Sequence, residues 1–184
     1  MNQAEINAEK FKFKIQVQVR SFDLDSYGIV HNSVYLKYFE IARTEYIRQA
    51  LGIDPGRFFT DFYFVLAKNV CNYITPARFD EILDIYTRVT RVGNSSFEME
   101  YLIEESKTKR TVATGETVIV LLNRETFKPE PIPESVRELI FKFELLSVDF
   151  CLIHIERLRF VFLIYINCSY REWNDNSLVF IAFM

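Results

Sequence analysis

From Phe11 to Arg20 apolar and polar residues alternate without a break. Phe11, Phe13, Ile15, Val17 and Val19 share one face; Lys12, Lys14, Gln16, Gln18 and Arg20 share the other. A period of two is the signature of a half-buried strand. The polar stretch Ser21–His31 follows as a loop, and its Gly28 suits a backbone position that a side chain would strain. Then the period changes. Apolar residues fall at 35, 38, 39, 42, 46 and 50, the three-and-four spacing of an amphipathic helix over Val34–Leu51. Asn32 or Ser33 suits its N-cap, and Gly52 with Pro55 beyond marks its end. At 1.5 Å per residue this helix is roughly 27 Å long.

After a loop rich in phenylalanine (Phe58, Phe59, Phe62), four more strands are predicted. Tyr63–Tyr73 is a nearly continuous apolar run, the pattern of a central strand covered on both faces. Ile82–Val92 follows the break at Thr75–Arg78 and is closed by Gly93-Asn94. In Phe97–Glu105, Phe97, Met99, Tyr101 and Ile103 point inward while Glu98, Glu100 and Glu104 point outward. Thr111–Asn123 is long and rich in Val and Thr. Short turns between successive strands favour antiparallel neighbours. The order strand, long helix, four strands implies an α+β fold, one long central helix wrapped by a curled five-stranded antiparallel sheet. Pro129, Pro131 and Pro133 end the last strand, and Val136, Leu139, Ile140 and Phe143 share a stripe on a short helix over Glu134–Leu146.

The pattern divides the chain into a flexible lead-in (1–10), one domain (11–146) and a tail (147–184). The tail has no Gly or Pro and few turn signals. Its densest apolar part, Phe160–Ile166, is too short for a membrane span, which needs about 20 apolar residues. It reads either as an extra helix or strand pair, or as sequence never selected as protein. The whole chain of 184 residues is long enough for a sizeable core. Its net charge of −3 gives no sign of a nucleic-acid footprint, which usually needs a clustered basic face. The three cysteines, Cys71, Cys151 and Cys168, have no framework or metal-type spacing and fit a reducing compartment. With no apolar signal core at the start, the expected location is the cytoplasm.

Candidate chemistry lies in the loop and helix start. Asp25 precedes Gly28 by three residues and the helix by about seven. A helix start offers backbone N–H groups with no intrahelical partner and the positive end of the dipole. A carboxylate beside such donors can attack, or activate water against, a carbonyl whose oxygen the donors hold. Asp25 reads equally as a turn former. Asp23, two positions away on a strand-like stretch, is expected to face the other way. Ser95 and Ser96 have no base at readable spacing, and no metal cluster is present.

The pattern Asp23-x-Asp25-x-x-Gly28-x-Val30-x-x-x-x-Tyr35-x-x-Tyr38-x-Glu40-x-Ala42-Arg43 resembles the signature of hotdog-fold thioesterases, the 4-hydroxybenzoyl-CoA thioesterase-like family. Tyr73-x-x-Pro76-Ala77-Arg78-Phe79-Asp80-Glu81 is similar to that family's second segment. The resemblance runs from about Phe13 to Leu122 and leaves out the tail. It implies hydrolysis of an acyl-CoA or acyl-carrier-protein thioester, with no cofactor beyond coenzyme A as part of the substrate. It makes Asp25 the nucleophile or general base and the backbone N–H of Asn32 the oxyanion donor. Many bacterial members carry His where this chain has Asn32; here the histidine is His31, one position earlier. His31 is either a loop or interface residue or a catalytic base. Glu40 is a supporting residue or a solvated charge. Gly28, Val30 and Tyr35 are candidate substrate-binding positions, although Tyr35, Tyr38 and Phe39 also read as core. Lys68 or Arg78 is a candidate for the phosphates of coenzyme A. The resemblance further implies a homodimer or homotetramer paired through sheet edges, with the site between subunits and Val65–Val70 from the partner as one wall. Two other readings stay open: a hotdog dehydratase or hydratase using His31, and a non-catalytic acyl-binding module.

Overall fold

A computed structural model of the protein describes residues 6–145, apart from the Phe59 side chain. The tail readings for 147–184 fall outside the described residues. Five strands form one open antiparallel sheet: β1 (Phe13–Gln18), β2 (Phe64–Tyr73), β3 (Ile82–Val92), β4 (Ser96–Glu105) and β5 (Thr111–Leu121). The spatial order is β1-β3-β4-β5-β2. The sheet packs against α1 (Asn32–Glu45), which continues through a π-helical turn, Tyr46–Ala50.

The alternation read from the chain places the core. In β4, Phe97, Met99, Tyr101 and Ile103 are buried while Glu98, Glu100 and Glu104 are only partly covered. From α1, Val34, Tyr35, Tyr38, Phe39 and Ala42 are buried. Phe39 stacks on Tyr101 at 4.5 Å and passes directly over Gly115 of β5. A Cβ at Gly115 would meet that ring and lie 2.9 Å from the Val70 carbonyl. The close approach of helix to sheet therefore requires glycine there.

Three expectations need correction. Tyr63–Tyr73 is not a central strand: β2 is an edge strand paired only with β5, and most of it is exposed. An apolar run by itself fixes neither which strand lies beside it nor how much of it one chain covers. Part of the phenylalanine-rich loop is a short helix, α2 (Pro55–Asp61), capped by the Asp54 side chain on the Arg57 N–H at 2.9 Å. Proline at the first helical position is pre-set for this geometry. The long helix begins at Asn32, two residues before the expected Val34, and its N-cap is His31, not Asn32 or Ser33. Its end was legible: Gly52 takes φ +67.

A third helix, α3 (Glu134–Leu145), closes the domain. Its Glu144 carboxylate accepts from the Tyr46 hydroxyl at 2.7 Å and the Val89 N–H at 2.8 Å. Val89 adjoins a register shift in β3, so Glu144 takes up a donor at an irregular point of the ladder. Ahead of β1, Ala8–Lys10 forms a 3-10 turn capped by Asn7.

Candidate active site at the start of the central helix

Leu24 and Val30 pair across a tight hairpin whose tip carries Asp25. The Asp25 N–H donates to the Ile29 carbonyl at 2.8 Å, and the Gly28 N–H donates to the Asp25 carbonyl at 3.1 Å. Gly28 takes φ +72, a conformation costly for any side-chain-bearing residue. The Asp25 side chain joins the turn through one oxygen. Its Oδ1 accepts the Tyr27 N–H at 2.8 Å and the Ile29 N–H at 3.4 Å. Among the described residues, Oδ2 has no donor, and the side chain is half-buried. Asp25 is thus a turn former and still offers a free carboxylate oxygen held in a fixed direction.

The hairpin is tied to the helix start by the His31 N–H, which donates to the Asp23 carbonyl at 2.9 Å. Asp23 itself is buried. Its Oδ2 accepts the Arg20 N–H at 2.8 Å and the Tyr38 hydroxyl at 3.1 Å. Burial, together with the Asp23 charge and hydrogen bond, pushes the Tyr38 phenol well above its ordinary range. The Asp23 side chain is turned into the core. It also lies in a 3-10 turn, Ser21–Asp23, rather than on an extended stretch.

Asn32 is the first helical residue. Its N–H has no acceptor among the described residues, as expected of a donor in the first turn. Its carbonyl accepts the Tyr73 hydroxyl at 3.0 Å, which links the far end of β2 to the helix start. The His31 ring is engaged as the cap: Nδ1 lies 3.2 Å from the Ser33 N–H and 2.9 Å from the Ser33 hydroxyl. As acceptor of the Ser33 N–H, the His31 Nδ1 organises the helix start.

The second motif segment docks onto the first. Ile29 pairs with Arg78, and the Val30 N–H donates to the Ala77 carbonyl at 2.9 Å. Arg110, which carried no signal in the sequence, clamps this segment. It donates to the Thr75 hydroxyl and Pro76 carbonyl at 2.8 Å and to both Glu81 carboxylate oxygens at 2.9 Å.

Not every candidate is brought together. Val30 and Tyr35 are core side chains, 3% exposed each. Tyr35 packs edge-on against Tyr73, with ring centroids 5.2 Å apart. Arg78 stands beside the hairpin, exposed. Lys68 is ion-paired with Glu116 at 3.0 Å and lies about 16 Å along β2 from Tyr73. Glu40 is exposed about 12 Å along the helix from Asn32. Cys71, half-buried near Tyr73, has its thiol pushed up by burial and is no thiolate nucleophile. Among the described residues no group of three or more His, Cys, Asp and Glu could hold a metal, and no helix is long and apolar enough to cross a membrane.

Known proteins share this fold. A thioesterase of Thermus thermophilus, solved with coenzyme A and Zn, is 34% identical, with a TM-score of 0.65 over 74% of this chain and 96% of that one. The acyl-CoA thioester hydrolase YbgC of Escherichia coli is 29% identical over 124 residues, 67% of this chain and 92% of that protein. A 1,4-dihydroxy-2-naphthoyl-CoA thioesterase of Synechocystis, at 19% identity, shows the fold alone, with a TM-score of 0.65 over 70% of this chain and 94% of that one. The one-helix, five-strand layering is that of these hotdog structures. Residues 19–140 match the model of the thioesterase-like superfamily, and the chain belongs to that superfamily.

Proposed function

We propose that this protein hydrolyses the thioester of an acyl-CoA, or of an acyl carrier protein, to a free acid and a thiol. The observation that carries the reading is the Asp25 carboxylate, with one oxygen held by two backbone N–H groups and the other without a donor among the described residues, in a hairpin tied to the helix start by the His31–Asp23 backbone bond. The relatives named as acyl-CoA thioester hydrolase and thioesterase support the same chemistry.

In the reaction, the Asn32 N–H holds the thioester carbonyl oxygen while negative charge grows on it. Either Asp25 Oδ2 attacks the carbonyl carbon, or it takes a proton from an attacking water. In the first route the C–S bond breaks, the thiolate leaves and gains a proton from water, and a second water hydrolyses the acyl anhydride. In the second route hydroxide adds directly and the proton passes through Asp25 to the departing sulfur. A thiolate leaves readily, so one carboxylate and an oxyanion donor suffice. The capping role of the His31 Nδ1 gives a dehydratase reading no support.

The reading includes a homodimer or homotetramer in the cytoplasm. The free edge of β2 is a template for pairing with a second copy. Such pairing would make β2 internal, in keeping with its apolar sequence. The test of function is a panel of acyl-CoAs with released thiol as readout. Turnover of at least one acyl-CoA well above the uncatalysed rate is expected; binding without turnover would establish an acyl-binding module instead.

A further inference from the structure

The last residue of β2 reaches the start of α1 from another part of the fold. Tyr73 pairs with Ala113 of β5, and just beyond it the Ile74 and Thr75 N–H groups both donate to the Val112 carbonyl, at 2.9 and 3.1 Å. The Tyr73 ring packs edge-on against Tyr35, whose hydroxyl accepts the Ala77 N–H at 3.4 Å. Backbone and ring are both held, and the Tyr73 hydroxyl donates to the Asn32 carbonyl at 3.0 Å. Burial, with Cys71 close by, pushes this phenol above its ordinary range, so it stays a donor at neutral pH.

Tyr73 is 53% exposed. A hydroxyl that exchanges water for a carbonyl in such a place gains little stability. What the bond does is geometrical. The Asn32 carbonyl and the Ser33 N–H belong to one planar peptide unit. Tyr73 holds its oxygen end, while the His31 Nδ1 and the Asn32 Oδ1 accept from its nitrogen end at 3.2 and 3.0 Å. The unit before it is held through the His31 carbonyl, which accepts the Val34 N–H at 2.9 Å. Both peptide planes that meet at Asn32 are therefore fixed. Of the successive N–H groups of His31, Asn32 and Ser33, only that of Asn32 has no acceptor among the described residues. A donor set in one direction before the reaction starts is what stabilises charge as it develops.

We propose that Tyr73 is a positioning residue for hydrolysis: its hydroxyl fixes the peptide between Asn32 and Ser33, and so aims the Asn32 N–H at the oxygen on which negative charge grows. This rests on the thioesterase reading and adds to it a residue that touches no reacting atom. It also gives the far end of β2 a part in the site, through a bond between residues 41 positions apart in the chain.

The test is Tyr73→Phe in the full chain, which keeps the ring against Tyr35 and removes only the hydroxyl. Wild type and variant are compared on the acyl-CoA that the wild type turns over fastest, and in binding of the matching S-alkyl thioether of coenzyme A, which has no carbonyl to hold. Because the donor matters only as charge develops, kcat should fall about tenfold while KM stays within about twofold. Thioether affinity and melting temperature should not change. Hydrogen exchange of the Ser33 and Val34 amides should quicken about tenfold, with the β4 amides unaffected. Wild-type kcat in Tyr73→Phe would overturn the proposal. So would a loss spread over KM, thioether affinity and melting temperature, the mark of a merely structural contact. Dissociation of an oligomer that the wild type forms would overturn it too, by making Tyr73 an assembly contact. In a protein that turns over no acyl-CoA, quicker exchange at Ser33 and Val34 would uphold the clamp on the helix start and remove the thioesterase reading; unchanged exchange there would remove both.

Discussion

Asp23 and Asp25 lie two residues apart in one loop, and the structure gives them opposite tasks that two substitutions should separate. Asp25→Asn keeps an Oδ1 to accept the Tyr27 and Ile29 N–H groups at 2.8 and 3.4 Å, so the turn survives. Stability should stay within about 0.5 kcal/mol of wild type. What is lost is the free oxygen that acts as base or nucleophile. Removing a general base typically lowers kcat by about 10²–10⁴-fold, and KM should change little. At 1.36 kcal/mol per tenfold, that is about 3–5 kcal/mol of barrier. Asp23→Ala does the reverse. It strands the Tyr38 hydroxyl, buried at 3% exposure, and removes the acceptor of the Arg20 N–H. An unsatisfied buried group costs about 1–3 kcal/mol, whereas the Arg20 amide, in an exposed residue, can turn to water. The melting temperature should fall by roughly 5–10 °C. Measured well below that temperature, the Asp23 variant should keep kcat within about tenfold of wild type, leaving its rate above that of the Asp25 variant. The assays are released thiol from an acyl-CoA and thermal unfolding of the same preparations. Wild-type kcat in Asp25→Asn, or equal melting losses in the two variants, would refute this division of labour.

Three further outcomes are expected. Asp84 is fully buried beneath Lys14 and Lys109, at 3.2 and 2.7 Å. Burial alone would raise its pKa, but Lys109, Gln16 and Lys14 outweigh it and hold the carboxyl at about 2, against an ordinary 3.8. A depressed folded pKa means that this stabilisation is complete above about pH 4 and disappears as pH falls towards 2. Because only two exposed lysine side chains cover the site, it contributes about 1–2 kcal/mol. Urea unfolding from pH 2 to 5 should show this slope in the wild type and a shallower one in Asp84→Asn; equal slopes would remove the assignment. The chain divides after Glu144 into two units. A chain ending at Leu146 should fold and hydrolyse thioesters, whereas one ending at Phe143 loses the Glu144 bonds to Tyr46 and Val89 and should melt several degrees lower; equal melting temperatures would show that the bonds contribute nothing. Finally, sedimentation at micromolar concentration should give a dimer or larger, and a fully active monomer of 21.9 kDa would dismiss pairing through β2.

The amino-acid sequence by itself determined what depends on neighbours along the chain. The two-residue period of β1 and β4, the stripe on α1, and glycine at the left-handed positions 28 and 52 are consequences of local geometry, so they were legible before any tertiary contact was known. So was the motif that joins a carboxylate, a glycine and a helix start. The cap of α2 was written locally as well, in Asp54 and Pro55, but was obscured by the phenylalanines around it. Tertiary structure alone decided what depends on residues far apart. Hydrophobicity cannot say which strand lies beside which, so the position of β2 at the edge, on β5, was not readable. The core role of Asp23 depends on Tyr38, one helical turn or more into α1, and the clamp of Arg110 depends on Thr75, Pro76 and Glu81. Whether a polar side chain faces solvent or core is fixed by partners that only the packed chain brings within hydrogen-bonding distance.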